Sequence, residues 1–298
     1  MPKRRRRRRL RWGRLLSLML GLLIVFASIV GAVTYAWVTL RLDSVKPLNI
    51  VIIGLDNKSG GKKRSDALML ASVNPQQHNV ELLSIPRDSY VRITCEDNQK
   101  DKITHAYYFG QRACTMDSIQ QLFELEQLQY YVAVDFEQMI ALVDLIDGIE
   151  LKPSKSFCQN GTDKKQYCFE KGQPITLDGQ SALAYSRQRK IDSDVHRAER
   201  QQEILKAIMA KAKTLEWWKV YPLVEQILTL TDTNLDLVHL AAFYRMSKEE
   251  DFIITSKTIK GENALYYSPG TQVNQYMYEI DSQWLKEYRA RLKELLAP

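Results

Sequence analysis

Short, uninterrupted apolar runs in the first third of the chain predict buried β-strands. The longest is LNIVIIGL at 48–55, and two more follow at 67–73 and 80–85. Asn74-Pro75 and Pro86 interrupt the pattern after the second and third runs, as turn-forming residues do. A shorter fourth strand is predicted at 90–93.

Farther along the chain, apolar residues recur at helical spacing and predict amphipathic helices. Helices are predicted at 115–127, 136–146, 178–185, 194–213, 220–229, 235–247 and 282–296, and strands at 130–134, 149–151 and 251–255. The segment 153–176 is polar and aperiodic, which indicates an irregular hairpin or insertion. Because strands alternate with helices, the predicted class is α/β, with a mixed central sheet flanked by helices.

The N-terminal region predicts one transmembrane helix before this α/β domain. Residues 15–40 contain no charged side chain. As a helix they would span about 39 Å, which is enough to cross roughly 30 Å of hydrocarbon. The apolar stretch exceeds the roughly 7–15 residues of a signal peptide core, which favours an uncleaved anchor. The expected organisation is a basic cytoplasmic tail at 1–14, the transmembrane helix at 15–40, a linker at 41–47 and a domain at 48–298.

The charge distribution supports this topology and argues against a nucleic-acid-binding domain. The net charge is +7, but residues 1–42 hold ten Lys or Arg and no acidic residue, leaving 32 basic and 35 acidic residues in the rest. Positive charge on the cytoplasmic side of a span places residues 48–298 outside a cell membrane that the chain crosses once. A nucleic-acid-binding domain would carry a positive excess of its own. The Arg run could instead contact nucleic acid or act as a localisation signal.

All four cysteines lie in the segment expected to be exported: Cys95, Cys114, Cys158 and Cys168. An even number in an oxidising compartment predicts two disulfides. Cys158–Cys168 would close a short polar loop and leave Cys95–Cys114, although three pairings are possible. The alternative of a metal site has little support, because no CxxC spacing occurs.

Charged side chains stand where the apolar runs stop. Asp56 ends the first run, Asp66 precedes the second, and Arg87 and Asp88 follow the third. Ligands of open α/β sheets bind at strand ends, so these residues are candidates for a site. Strand ends are also wet and tolerate any charge, so each residue taken singly favours an ordinary surface position.

The second polar cluster, from Arg187 to Gln201, is denser and predicts an anion site. It contains five cationic side chains, and Asp194, Arg197 and Gln201 share one helix face at i, i+3 and i+7. Guanidinium groups bind phosphate through two hydrogen bonds, while Mg²⁺ takes one or two carboxylates and the oxygens of substrate phosphates. Salt bridges within the protein would explain the same composition. His105 is the best-placed histidine, although a lone histidine is more often structural.

Seven ordered segments resemble the motifs of the LytR-CpsA-Psr family. They are NIVIIGLD (49–56), RSDALML (64–70), SIPRDSYV (84–91), DKITHAY (101–107), YYVAVDF (130–136), LDGQSALAYSRQR (177–189) and DSDVHRAERQ (192–201). The resemblance implies an outer-face, Mg²⁺-dependent phosphotransferase. Such an enzyme moves a glycopolymer, such as teichoic acid or capsule, from a polyprenyl-pyrophosphate carrier to peptidoglycan and forms a phosphodiester.

Carried over to this chain, the resemblance also implies roles for single residues. Asp56 and Asp66 would bind Mg²⁺, and Asp194 would orient the arginines or help to activate the acceptor hydroxyl. The pyrophosphate would be surrounded by Arg64, Arg87, Lys102, Arg187, Arg189, Arg197 and Gln201, and the catalytic group would be Arg64, Arg87, Arg187 and Asp194. The chain departs from the family pattern at Ala67, where Thr is common, at Lys58, where Arg is frequent, and in its four cysteines.

Two other function classes fit parts of the sequence. One is a membrane-anchored regulator or wall-binding module without catalysis, but that module would not need paired carboxylates near an Arg cluster. The other is a polyprenyl-pyrophosphate hydrolase, in which water replaces the sugar hydroxyl. The polymer, the position of the acceptor and the lining of a lipid tunnel do not follow from the sequence.

Overall fold

A computed structural model describes residues 28–30, 33, 36, 39–56, 63–188, 194–269 and 271–297, apart from the side chains of Asp194, Val195 and Trp217. The chain divides into two compact units, Met1–Ser44 and Val45–Pro298. Among the described residues, no helix is both long and apolar enough to cross a membrane. The predicted tail 1–14 and most of the predicted span 15–40 lie outside the described residues, as do Lys58 and Arg189.

The second unit contains fourteen strands and seven helices among its described residues. The strands are β1 (Leu48–Asp56), β2 (Arg64–Asn74), β3 (Asn79–Ser84), β4 (Tyr90–Arg92), β5 (Lys100–Lys102), β6 (Tyr130–Val134), β7 (Ile149–Leu151), β8 (Phe157–Asn160), β9 (Gln166–Phe169), β10 (Ile175–Leu177), β11 (Asp232–Thr233), β12 (Ile253–Thr258), β13 (Gly261–Ser268) and β14 (Val273–Ile280). The helices are α1 (Thr104–Phe123), α2 (Phe136–Leu145), α3 (Gly179–Arg187), α4 (Asp194–Thr214), α5 (Trp217–Leu230), α6 (Leu237–Ser247) and α7 (Ser282–Leu295).

Six of these strands form a mixed central sheet in the order β11-β6-β1-β2-β3-β12. Neighbouring strands β1, β2 and β3 are antiparallel, whereas β6 pairs in parallel with β1 and β12 pairs in parallel with β3. The predicted α/β class with a mixed sheet is therefore confirmed. The other strands form four two-stranded sheets.

Helices cover both faces of the central sheet. Side chains alternate between the two faces along each strand, so each face carries apolar residues that need a covering layer. Val51, Ile53 and Leu70 point to one face and share a core with α1 and α7. The opposite face carries Ile52, Asp56 and their neighbours, and α2 and α4 pack on this side. A second core lies among α2, α3, α4 and the small sheets.

Four helices begin at an aspartate that the sequence places before an apolar period. The side chains of Asp135, Asp178, Asp236 and Asp281 each accept a hydrogen bond from the backbone N–H three residues later. Such caps satisfy donors that the first helical turn leaves unpaired. Asp178 is therefore the cap of α3 rather than its first helical residue.

The largest differences from the sequence-based prediction lie in two regions. The helix predicted at 115–127 begins earlier, at Thr104, and contains a kink at Gly110 and Gln111, whose φ values are −131° and 55°. The sequence shows no helical period over the first turns, because the polar residues Thr104 and His105 occupy buried positions that apolar residues usually take. The hairpin β13–β14 was not predicted, since its exposed face carries apolar and aromatic side chains instead of the usual polar ones.

Both predicted disulfides are present, and they account for all four cysteines. Cys95–Cys114 ties the loop after β4 to α1. Cys158–Cys168 joins paired positions of β8 and β9, so the aperiodic segment 153–176 contains the expected hairpin. These cysteines do not form the alternative metal site.

Candidate active site

The polar side chains at strand ends converge on one edge of the central sheet. Strands β1, β3, β6 and β12 run in the same direction, so their carboxyl ends lie together, and the antiparallel strand β2 begins there. This edge, called here the carboxyl edge, brings together Asp56 and Asp135 with Arg64, Asp66 and Arg87. The sequence-based expectation that these strand ends meet therefore agrees with the topology.

A β-bulge places Asp66 at this edge. Gly54 pairs with Ala67 and Leu55 with Ser65, so Asp66 is an extra residue on β2. Bulges of this kind change the direction of a side chain and occur often beside active sites. A Cβ atom on Gly54 would lie 2.8 Å from the Cβ of Ala67, so the register requires small residues here.

Four charged side chains form a continuous chain of ion pairs along the carboxyl edge. Arg87 Nη1 lies 2.9 Å from Asp66 Oδ1, and Arg87 Nε lies 3.7 Å from Asp88 Oδ2. The second oxygen of Asp88 lies 2.8 Å from Lys102 Nζ. All four side chains keep part of their surface exposed, between 15% and 32%. An incoming anion can therefore reach the cations, which a sealed salt bridge would not permit.

A buried aspartate fixes the strand that carries Lys102. Asp101 is 3% exposed, and it accepts hydrogen bonds from Ser268 Oγ at 2.9 Å and from the Lys102 backbone N–H at 2.8 Å. His105 Nδ1 lies 2.9 Å from the other carboxylate oxygen. Burial alone would raise the pKa of Asp101, but His105, Lys102 and Ser268 together hold that pKa below its usual value. His105 thus pairs with a buried carboxylate, as a structural histidine does.

Two more arginines reach this region over aromatic rings. The Arg64 guanidinium lies 5.6 Å from the ring centre of Tyr108, and that of Arg187 lies 4.7 Å from Phe136. Phe136 directly follows Asp135, the residue after β6, so Arg187 belongs to the carboxyl edge. Cation–π contacts hold each guanidinium plane in position and leave its N–H donors available for an anion.

The first half of α4 is fixed against the same edge by a glutamine. The side-chain amide of Gln202 donates to Ser84 Oγ at 2.8 Å and to the backbone oxygen of Lys257 at 2.7 Å. Ser84 and Lys257 lie at the carboxyl ends of β3 and β12. Arg197 is buried and Gln201 is half-buried in the same half of α4.

Part of the predicted arginine cluster is structural. Arg200 is 1% exposed, donates to the Gln188 backbone oxygen at 2.6 Å and lies 5.5 Å from the ring centre of Phe157. It therefore holds the end of α3. Asp194 begins α4, but its side chain and all of Arg189 lie outside the described structure, so their predicted roles stay predictions.

Several residues of this arrangement were not singled out from the sequence. Lys63, whose Nζ lies 3.4 Å from Asp135 Oδ2, adds a cation. Gln202 could have been found by its spacing, because Ala198 and Leu205 lie four residues before and three after it, on one face of α4. Tyr108 and Phe136 gave no local signal, since their roles depend on which arginine the fold brings over them.

The oxygen donors at the edge are of the type that Mg²⁺ prefers. Asp56 and Asp66 are both part-exposed carboxylates at the joined ends of β1 and β2. Throughout the described residues, no group of three or more His, Cys, Asp or Glu side chains could hold a metal ion. Mg²⁺ commonly uses one or two carboxylates and completes its shell with water and phosphate oxygens.

The chain also has a pocket of about 480 Å³ away from this edge. It is lined by Asp144, Gly148, Tyr167 and Asp178, among other residues. Asp144 lies near the end of α2 and Asp178 caps the start of α3, whereas the carboxyl edge meets the opposite ends of both helices. The charge arrangement, and not the pocket volume, therefore identifies the candidate active site.

Known proteins are similar to this chain in sequence and in fold. Residues 32–294 match the model of the LytR_cpsA_psr family. The chain is 30% identical over 262 residues to the polyisoprenyl-teichoic acid–peptidoglycan teichoic acid transferase TagU of Bacillus licheniformis, covering 86% of this chain and 80% of that protein. A protein of the same description from Halalkalibacterium halodurans is 32% identical over 83% of this chain and 78% of its own length.

Two solved structures show the same architecture. Bacillus subtilis TagV superposes with a TM-score of 0.75 at 28% identity, covering 85% of this chain and 99% of that chain. TagT bound to LIIa-WTA superposes with a TM-score of 0.68 at 26% identity, covering 84% and 91%. The match to the family model spans most of the chain and includes every residue of the carboxyl edge; this protein belongs to the LytR-CpsA-Psr family.

Proposed function

We propose that this protein is a membrane-anchored phosphotransferase. It moves a glycopolymer, either teichoic acid or a capsule-like polysaccharide, from a polyprenyl-pyrophosphate carrier to peptidoglycan. The observation that carries the proposal is the chain of ion pairs from Asp66 through Arg87 and Asp88 to Lys102 at one edge of the sheet. The names of the TagU relatives support transfer to peptidoglycan as the reaction class.

The cations of the carboxyl edge suit a pyrophosphate. Arg87 is held by Asp66 and remains partly exposed, while Arg64 and Arg187 are oriented by aromatic rings. Guanidinium groups bind phosphate oxygens through paired hydrogen bonds, and Lys102 adds a point charge. Fixed positive charges of this kind stabilise the negative charge that develops during phosphoryl transfer.

Asp56 and Asp66 would hold Mg²⁺ at this edge. Bound there, the ion would neutralise charge on the pyrophosphate oxygens. Asp66 also accepts a hydrogen bond from Arg87, so one carboxylate links the metal position to the arginine that binds the phosphates.

The proposed reaction exchanges one P–O bond for another. The acceptor hydroxyl oxygen attacks the phosphorus that bears the polymer and forms the new phosphodiester bond. The bond between the two phosphates breaks, and its electron pair leaves with polyprenyl phosphate. The hydroxyl proton passes to a base, for which Asp194, at the start of α4, is the sequence candidate. The nearby guanidinium groups stabilise the negative charge on the attacking oxygen and on the oxygen that leaves with polyprenyl phosphate.

The sheet face that carries Asp56 suits the lipid part of the carrier. On this face Ile52, Gly54 and Ala67 are only half-buried, although α2 and α4 pack on the same side. Apolar surface that a packed layer leaves accessible favours an apolar ligand. The carrier chain would lie along this face, with its pyrophosphate at the carboxyl edge.

The first test uses the full-length chain in detergent with Mg²⁺, a polyprenyl-pyrophosphate-linked saccharide and peptidoglycan. We expect conjugate in the wild type and a loss of about 10²–10³-fold in Arg187→Ala, comparable to removing a donor to a developing charge. Arg289→Ala is the matched control, because Arg289 pairs with Glu124 at the end of α1.

The outcomes separate the three function classes. Conjugate that depends on Arg187 supports the transferase. Release of free saccharide in the presence of acceptor would identify a hydrolase instead. A folded protein that neither binds the carrier nor makes product would favour a non-catalytic anchored module.

A further inference from the structure

The β13–β14 hairpin presents an uncharged aromatic face to solvent. Side chains on this face alternate with those that point inward, and they come from Leu265 and Tyr267 on β13 and from Asn274 and Tyr276 on β14. Leu265, Tyr267 and Tyr276 are 59%, 56% and 70% exposed. Large apolar side chains exposed together in this way indicate a binding surface.

The opposite face and one edge of the hairpin are fixed to the candidate active site. The Tyr278 backbone N–H donates to the Asp88 backbone oxygen at 2.8 Å. Tyr266 stacks on Tyr90 with ring centres 4.2 Å apart, and Ser268 donates to the buried Asp101. These contacts join the hairpin to the two strands that flank Arg87 and Lys102. The hairpin that carries the exposed face is therefore anchored beside Arg87 and Lys102.

We propose that this face binds the sugar chain of peptidoglycan, the acceptor of the transfer; the assignment rests on the proposed function. Tyrosine rings offer flat apolar surfaces that match the C–H faces of sugar rings, and each ring also carries a hydroxyl group. Asn263 and Asn274 lie on the same face and supply amide donors and acceptors for sugar hydroxyls. Sugars bound here would extend into the carboxyl edge.

The charge of the hairpin selects the acceptor over the donor polymer. Residues 261–280 contain no Lys or Arg, and their two acidic residues, Glu262 and Glu279, pair with each other on the face opposite the exposed tyrosines. A phosphate-rich polymer or an anionic lipid surface would find no cation on the tyrosine face to neutralise its charge. The sugar backbone of a glycan strand carries no such charge density, so it suits a face of tyrosine and asparagine.

The experiment measures binding of the full-length protein, in detergent, to glycan strands. The strands are prepared from peptidoglycan by removing wall polymers, and the stem peptides stay attached so that the lactyl groups of the sugar chain remain uncharged amides. We expect the double variant Tyr267→Ala, Tyr276→Ala to bind these strands at least about tenfold more weakly than wild type. Binding of the polyprenyl-pyrophosphate donor should be unchanged. Tyr221→Ala is the matched control, because Tyr221 is 62% exposed on α5, outside the hairpin.

Each other outcome overturns the assignment. Equal binding of the glycan strands by wild type and double variant would show that the hairpin face is not the acceptor surface. A variant that instead loses binding to wall polymer or to anionic vesicles would assign the face to that occupant. Failure of the proposed function is recognised separately, since donor binding and its dependence on Arg187 are measured with the same protein.

Discussion

The Arg87 guanidinium donates to the Asp66 carboxylate across 2.9 Å, joining the bulge of β2 to the loop after β3. The two side chains keep 20% and 32% of their surface exposed. An ion pair at this depth contributes little to stability, but it fixes the direction of the guanidinium. The contact therefore serves the site more than the fold.

Arg87→Ala should abolish function and leave the fold intact. We expect transfer to fall by about 10²–10³-fold, because a donor to the developing phosphate charge is lost. The free energy of unfolding should change by less than about 1 kcal/mol, as for a part-exposed pair. Arg87→Lys should recover only part of the activity, since an ammonium group lacks the paired donors of a guanidinium. Transfer at the wild-type rate in Arg87→Ala would refute the role of this arginine.

Gln202→Leu should weaken both the fold and donor binding. The substitution leaves Ser84 and the Lys257 carbonyl without their amide donor, which costs about 1–3 kcal/mol for buried groups. Because Gln202 holds against the sheet the helix that carries Arg197, we also expect a higher KM for the donor at saturating acceptor. Gln283→Leu is the control, since that amide contacts Glu287 on the exposed surface of α7. An unchanged KM in a destabilised Gln202→Leu protein would limit Gln202 to a structural role.

The Cys95–Cys114 disulfide braces a strained part of α1. A Cβ atom on Gly110 would lie 2.5 Å from the Cys114 Cβ and 3.0 Å from the Cys95 Sγ, so Gly110 has no room for a side chain. The next residue, Gln111, has φ 55° and ψ −144°, a conformation that costs about 1–3 kcal/mol outside glycine. The disulfide and the kink therefore support each other.

Removing this disulfide should cost stability and activity together. For a sequence separation of 19, loop-closure entropy predicts a loss of about 3 kcal/mol in Cys95→Ser, Cys114→Ser. That corresponds to a Tm lower by about 6–12 °C for a domain of this size. Cys158→Ser, Cys168→Ser is the matched variant, with a separation of 10 and a similar expected loss. Only the first pair closes on the loop between β4 and β5, the strand that carries Lys102. Equal transfer rates in both stable variants would therefore contradict a link between this disulfide and Lys102.

The stability of the protein should fall in acid because of two buried carboxyl groups. Burial would raise the pKa of Glu81, but the hydrogen bonds of Arg291 and the charge of Lys257 hold that pKa below its usual value. The pKa of Asp101 is also lowered. A carboxyl group whose pKa is lower in the folded state stabilises the fold fully above its unfolded pKa. This contribution is lost as the pH falls through the folded pKa.

The expected pH window follows from these two shifts. Unfolding free energy, measured by urea denaturation, should be nearly constant above about pH 5 and decline below about pH 4, where the unfolded carboxyl groups take up protons. Arg291→Leu removes the main partner of Glu81 and should flatten this decline. An identical pH profile in wild type and Arg291→Leu would rule out Glu81 as a source of the acid sensitivity.

The fold class, the strand-end positions of the charged residues and the expectation of two disulfides all follow from the sequence, whereas the choice among three cysteine pairings needed the fold. Uninterrupted apolar runs such as 48–55 predict buried strands, because only burial in a core removes their apolar surface from water. The motif segments from 49 to 201 likewise identified the family before any contact was known. These features depend on residues that are close together in the chain, so a single sequence is enough to predict them.

Tertiary structure alone decided which of the charged residues act together. The bulge at Asp66, the Gln202 contact with β3 and β12, and the stacking of Arg187 on Phe136 join residues far apart in the chain. The same holds for the β13–β14 hairpin. Its position depends on contacts with Tyr90, Asp88 and Asp101, and no periodic pattern of its own residues predicts them. Contacts across the sheet depend on register and packing, and neither leaves a periodic signal in a single sequence.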